Sequence, residues 1–312
     1  MEAPKEILKN LPPFIRIYKD GTVERPLGTH TIPPSTLSAV GISSKDVVIS
    51  PQVSARLYIP HSSLSSSPIT KLATIVYFHG GAFVIGSPFS PFYNGYIETL
   101  SAKANALIVS VSYRLAPEHP LPTAYNDSWA AIEWTVSLSD EWLNDHADLN
   151  RIFLAGDSAG ANITHQMAMR AGTKGSPIGL RGVVLVHPFF WGSDLSEEEE
   201  ERSWSVNQMW TVACPTSDGI DDPWINPRAE TAPPLKELGC QRVLVCLAGV
   251  DFLREKGKAY YEALRESGWE GVAEVVEVAE EGHAFHLFNQ GCENAVKLME
   301  RIVDFISSGG TS

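Results

Sequence analysis

Ser158 stands in Gly156-Asp157-Ser158-Ala159-Gly160, a G-x-S-x-G pattern, between an apolar run (152–155) and a stretch of helical periodicity (162–170). That context reads as strand, sharp turn, helix. Flanking glycines let the backbone cross closely where a Cβ would clash. Such a turn lifts a hydroxyl clear of the sheet and aims the first free N–H groups of the helix at whatever it attacks. A serine hydroxyl is a weak nucleophile near neutral pH, so it needs a base, a group that orients the base, and donors for an oxyanion. Asp251 and His283 follow two later apolar runs, 243–247 and 272–278, which gives the order Ser, Asp, His. His283 would take the proton of Ser158 and return it to the leaving group, while Asp251 accepts from its Nδ1–H. His79-Gly80-Gly81-Ala82-Phe83 ends another apolar run (72–78). Gly80, Gly81 and Ala82 are all candidates to join Ala159 in offering backbone N–H groups to the oxyanion.

Other titratable residues near these motifs read as structural. Asp157 is expected to hydrogen-bond within the turn, and His286 to pack as an aromatic. His187 and His79 are expected to hold loops. The histidines lack the helical or ribbon spacing of a metal site, so neither a metal nor a cofactor is expected.

Elements that could position these residues alternate along the chain. Strands are expected at 46–50, 53–59, 72–78, 106–112, 152–155, 182–187, 242–248 and 272–278. Helices are expected at 124–137, 162–170, 255–267 and 293–306, so most of the strands are separated by helices. That pattern requires a mainly parallel eight-stranded sheet covered on both faces, an α/β architecture. Residues 11–26 read as a short hairpin turning at Asp20-Gly21. No linker divides the chain, so a single domain over residues 1–312 is expected. Residues 188–238 interrupt the alternation with prolines and four tryptophans, and should cap the carboxyl edge of the sheet. The acidic run 197–201 within this insertion reads as a solvated loop.

The 312 residues carry a net charge of -13 and 44% hydrophobic side chains. Such a balance supports a large core and argues against nucleic-acid or anionic-membrane partners. No apolar run reaches the length of a membrane span. The charged opening MEAPKEILKN lacks the apolar core of a secretory signal. Cys214, Cys240, Cys246 and Cys292 contain no C-x-x-C pair and read as reduced thiols of a cytoplasmic protein, with the nucleus also open. Nothing in the sequence fixes an oligomeric state.

HGGAF, YRLAPEHPLPTAYND (113–127), GDSAGAN and GHAF together resemble the hormone-sensitive-lipase group of α/β-hydrolases. YKDGTVERP, HPFFWG and DDPWINP resemble the plant carboxylesterase branch of that group. The resemblance covers nearly the whole chain. It implies the α/β-hydrolase fold, a helical cap made partly by about residues 1–40 and the insertion at about 188–238, and a triad of Ser158, Asp251 and His283. Arg114, Glu118 and Asp127 would brace the loop beneath the site. Where the family often has a third glycine this chain has Ala82, which touches only the shape of the acyl pocket. The implied activity is hydrolysis of small soluble acyl esters through an acyl-serine. Alternatives within the same fold are a lyase or cyclase on a plant specialised metabolite, and a hormone receptor. Receptors of this branch replace the triad histidine, which is intact here.

Overall fold

The computed structural model describes residues 5–195 and 197–308. The chain opens with β1 (Ile7–Leu11), β2 (Ile15–Tyr18) and β3 (Val23–Glu24), which pair in that order as a small antiparallel sheet. The turn expected at Asp20-Gly21 joins β2 to β3; Gly21 takes the positive φ of 84° that the bend requires. No helix occurs in the described part of 1–40, so this piece is built of strands rather than helices. Residues 1–4 lie outside the described residues.

The main sheet follows: β4 (Ile42–Ser50), β5 (Val53–Pro60), the one-turn α1 (His61–Leu64), β6 (Leu72–Phe78), α2 (Pro91–Ala104), β7 (Ala106–Ser112), α3 (Thr123–Val136), the short α4 (Glu141–His146) and β8 (Ala147–Asp157). After β8 come α5 (Ala159–Ala171), β9 (Gly182–Val186), α6 (Glu197–Ala213), β10 (Arg242–Ala248), α7 (Arg254–Glu266), β11 (Val272–Val278), α8 (Phe285–Phe288) and α9 (Glu293–Ser307). The eight strands lie in the order β11-β10-β9-β8-β6-β7-β5-β4. All neighbours are parallel except β5 with β7 and β4 with β5.

Parallel strands buried on both faces must be apolar on both faces, and alternation along β6 and β10 shows how. Leu72, Val76 and Phe78 join Val243, Val245 and Leu247 in the core layer shared with α3, α5 and α7. Ala73, Ile75 and Tyr77 join Leu244, Cys246 and Ala248 in the opposite layer, under α2 and α9. From β6 the chain runs outward to β7, then returns to the other side of β6 as β8. That reversal opens a crevice at the carboxyl ends of β6 and β8, where ligands bind in such sheets.

Two further readings of the sequence are corrected. The acidic run 197–201 is the start of helix α6, not a loop. Glutamates favour a helix's first turn, where they meet the positive end of its dipole. Val206, Met209, Trp210 and Ala213, spaced for one helical face, carry the burial. The second correction is α2, absent from the sequence reading. Pro91 looks like a breaker but occupies the first helical turn after Ser90, whose hydroxyl caps Tyr93 N.

Candidate active site

Ser158 sits between β8 and α5 with φ 53° and ψ -117°, a conformation no unstrained non-glycine residue adopts. The turn is held by Ser158 N–H on Val186 O (2.8 Å) and by Phe189 N–H on Ser158 O (3.0 Å). Gly156 and Gly160 are required by close approach. A Cβ on Gly156 would lie 2.4 Å from the Gly160 carbonyl, and one on Gly160 1.9 Å from Phe78 O.

Asp251 follows β10 and His283 follows β11, so the carboxyl ends of three parallel strands bring the three residues together. His283 Nδ1 is 2.8 Å from Asp251 Oδ2, and His283 Nε2 is 3.0 Å from Ser158 Oγ. With the proton on Nδ1, Nε2 is left to accept from the serine. The second oxygen of Asp251 accepts Leu253 N–H at 3.0 Å. The Asp251 side chain is 1% exposed and that of His283 28%, so one edge of the imidazole remains open to solvent. The ring of Phe252 stands 5.7 Å from that of His283 and 6.2 Å from Trp191.

The loop after β6 starts beside the serine turn, where a Cβ on Gly160 would also meet His79 O at 2.7 Å. Gly81, Ala82 and Phe83 take consecutive positive φ values of 111°, 53° and 65°. Strain of that kind at two non-glycine residues is characteristic of a functional loop. Gly80 N–H is engaged elsewhere: it donates to Tyr93 Oη (2.7 Å) and lies 3.2 Å from Asp157 Oδ1. Gly80 therefore leaves the set of candidate oxyanion donors. The N–H groups of Gly81, Ala82 and Ala159 have no acceptor among the described residues.

The neighbours serve as supports. His79 Nδ1–H donates to Gly80 O at 2.7 Å, and its ring stacks on Tyr113 at 4.3 Å. Burial pulls its pKa down to about 4. His187 Nδ1 accepts Ala284 N–H at 3.2 Å, so His187 holds the residue after the candidate base. Burial, then the nearby His286 and His283, keep His187 neutral. His286 packs edge-on against Tyr96 at 5.1 Å. Arg114 grips Asp127 through two guanidinium bonds, 2.9 and 2.7 Å, and its backbone N–H adds a third at 3.0 Å. Glu118 reaches instead to Arg25, whose Nε also donates to Val84 O, tying the first sheet to the loop after β6. One trio of possible metal donors occurs among the described residues: His187, Asp251 and His283, within 4.8 Å of one another. His283 and Asp251 already bind each other and Ser158, and His187 Nδ1 accepts from Ala284, while His187 Nε2 is buried without a hydrogen-bond partner among the described residues.

Two groups at the site escaped the sequence reading. Tyr93 lies on α2, whose apolar spacing Tyr93, Tyr96, Ile97, Leu100 was a readable signal. Phe252 was visible beside Asp251, but nothing in the sequence points its ring at His283.

Residues 75–287 match the family model described as alpha/beta hydrolase fold. Probable carboxylesterase 2 of Arabidopsis thaliana is 43% identical over 97% of both chains. The 2-hydroxyisoflavanone dehydratase of Glycyrrhiza echinata is 46% identical, again over 97% of both. Among solved structures, a thermostable carboxylesterase cloned from a metagenomic library superposes with a TM-score of 0.74 at 26% identity, over 86% of this chain and 90% of that one. With the sheet and the glycine-flanked serine turn described above, these likenesses make the chain a member of the α/β-hydrolase family, in its hormone-sensitive-lipase-like group beside the plant carboxylesterases.

Proposed function

We propose that this protein hydrolyses small acyl esters through an acyl-serine, with Ser158 as nucleophile, His283 as base and Asp251 as the group that orients it. The observation that carries this reading is the unbroken chain Ser158 Oγ, His283 Nε2, His283 Nδ1, Asp251 Oδ2, with its two contacts of 3.0 and 2.8 Å. Ser158 Oγ bonds to the acyl carbon as its proton passes to His283 Nε2. The carbonyl π electrons move onto oxygen, and the N–H groups of Gly81, Ala82 and Ala159 receive that charge. Collapse breaks the carbon–oxygen bond to the alcohol, which takes the proton back from His283. Water then repeats the sequence on the acyl-serine and frees the acid.

The proposal includes one hydrolase domain with a cap formed by about residues 1–40 and 188–238. Its support is a shared apolar cluster: Leu11 and Ile15 of the first segment and Met209 and Val212 of α6 meet Ala82 and Val84 of the loop after β6. Placement in the cytoplasm belongs to the same proposal. It is supported by the four unpaired cysteines, three of them buried, and no helix is long and apolar enough to cross a membrane among the described residues.

A lyase reading is favoured by one observation, the 46% identity to a protein named as a dehydratase. Rapid mixing with a chromogenic short-chain ester separates the two. Hydrolysis through an acyl-serine gives a burst of alcohol of about one equivalent per protein before steady turnover, whenever deacylation is slower. Absence of any turnover over short- and long-chain acyl esters contradicts the proposal.

A further inference from the structure

The reading above gives no part to the carboxylate of Asp157, although it adjoins the nucleophile. Asp157 is 2% exposed. Its Oδ1 accepts Tyr77 O–H at 2.8 Å and its Oδ2 accepts Tyr93 O–H at 2.9 Å. Gly80 N–H approaches both Asp157 Oδ1 (3.2 Å) and Tyr93 Oη (2.7 Å). The fit leaves no spare room: a Cβ on Gly80 would stand 2.4 Å from Asp157 Oδ2. On its other side Gly80 is held by His79 on its carbonyl. The first residue of the strained loop is thus clamped at its N–H and its C=O, and the next two residues carry the free N–H groups.

We propose that Asp157 is a positioning residue of the oxyanion loop: its carboxylate fixes Gly80 and thereby aims the N–H groups of Gly81 and Ala82, and its protonation releases them. This inference rests on the ester-hydrolysis reading. The argument is one of hydrogen-bond counting. Three donors (two tyrosine hydroxyls and one backbone N–H) converge on this carboxylate, so a proton added to it finds no acceptor unless a tyrosine hydroxyl turns away. That turn breaks the contact through which Tyr93 and Asp157 together hold Gly80.

The groups facing Asp157 come from several elements. Tyr77 and Tyr96 lie on β6 and α2, Tyr93 on α2, Tyr113 after β7, His79 after β6, and His283 after β11. Burial raises the pKa values of the four tyrosines, so they remain neutral donors. His79 is neutral as well. His283, once protonated, is the opposite charge that favours the carboxylate. Burial works against these partners and pushes Asp157 up to about 6, so its two states exchange within the range where an esterase is assayed.

The test is the acid limb of kcat/KM for a dissolved short-chain ester, over the pH range where circular dichroism reports a folded protein. Protonation of His283 stops the wild type, and protonation of Asp157 lowers what remains by a further factor of about ten to a hundred. The logarithm of kcat/KM should therefore fall with a slope steeper than one, approaching two, over about one to two pH units below the Asp157 inflection. In Asp157→Asn only the base still titrates, and the slope should be one. At pH 8 the same variant should lose about ten- to a hundredfold in kcat with little change in KM, as expected when oxyanion donors are misaimed. Tyr93→Phe, which deletes a donor to the charged form, should move the second inflection upward, and it serves as the reporter if Asp157→Asn fails to fold. Equal slopes in wild type and Asp157→Asn, an unchanged kcat, or an unmoved inflection in Tyr93→Phe would each overturn the role of Asp157. Ser158→Ala keeps the two levels apart. Turnover that survives in Ser158→Ala removes the acyl-serine reading itself, whereas its loss alongside equal slopes removes Asp157 alone.

Discussion

Gly160 lies so near Phe78 that a Cβ on it would stand 1.9 Å from the Phe78 carbonyl oxygen. This contact wedges the start of α5 against the end of β6, and so brings the serine turn beside the loop that begins at His79.

Gly160→Ala should therefore be costly. The atoms in the way are backbone, of Phe78 and His79, and cannot rotate aside. Overpacking of this kind costs about 3 kcal/mol or more. The urea midpoint should fall accordingly, and a wild-type midpoint would show that α5 and β6 do not pack this closely.

Asp251→Asn should leave the fold intact but lower kcat by about 10^4-fold. An amide can offer its N–H to His283 Nδ1, which favours the tautomer with a proton on the nitrogen that must accept from Ser158. A loss below about tenfold in a steady-state assay would mean that Asp251 does not orient the base.

Stability should depend on pH in a stated direction. Burial pulls His79 down to about 4, His165 and His286 to about 3, and His187 well below its ordinary value. Unfolded, these imidazoles titrate near 6.5. Below that pH the unfolded chain takes up protons that the folded chain does not, so stability falls as pH drops from about 6.5 toward 4. Each such histidine contributes a slope of about 1.4 kcal/mol per pH unit. Asp157 opposes this, since its raised pKa lets the folded state hold a proton between about 6 and the ordinary carboxylate value of 3.8. Four histidines outweigh one aspartate. Urea midpoints at pH 7.5, 6.5 and 5.5 should decline with growing steepness, and a constant midpoint would contradict the burial of these rings. His165 bonds Tyr260 Oη at 3.1 Å inside the core, so His165→Phe should flatten the decline by one proton.

The legible parts of this molecule are those written in local pattern. The apolar runs of β6, β8, β9 and β10 are buried on both faces, and continuous apolar stretches state that directly, whereas β11 is the half-exposed edge strand. Ser158, Asp251 and His283 were readable because each follows an apolar run, where parallel strands deliver their ends to one edge. Helix α6 was masked by its composition: charge at 197–201 drew attention from the spacing of Val206, Met209, Trp210 and Ala213. Lys256 on α7, which lies 3.5 Å from Glu199 of α6, could not be foreseen, because only the folded chain brings the two together. The clamp on Gly80 is of the same kind. Its members, Tyr77, Gly80, Tyr93 and Asp157, come from two strands' ends and a helix, and no spacing along the chain connects them.

The central claim is that Ser158, His283 and Asp251 act as one unit on an acyl carbonyl, and covalent labelling tests it most directly. An organophosphate ester is attacked at phosphorus by Ser158 Oγ, which expels the leaving group while His283 takes the proton, and the phosphoryl oxygen occupies the place of the oxyanion. Stoichiometric labelling should follow, with the adduct mapped by peptide mass to Ser158. His283→Ala should slow the reaction by about a hundredfold or more, the scale of a lost general base. An adduct on any other residue, or equal rates in wild type and His283→Ala, would contradict the account.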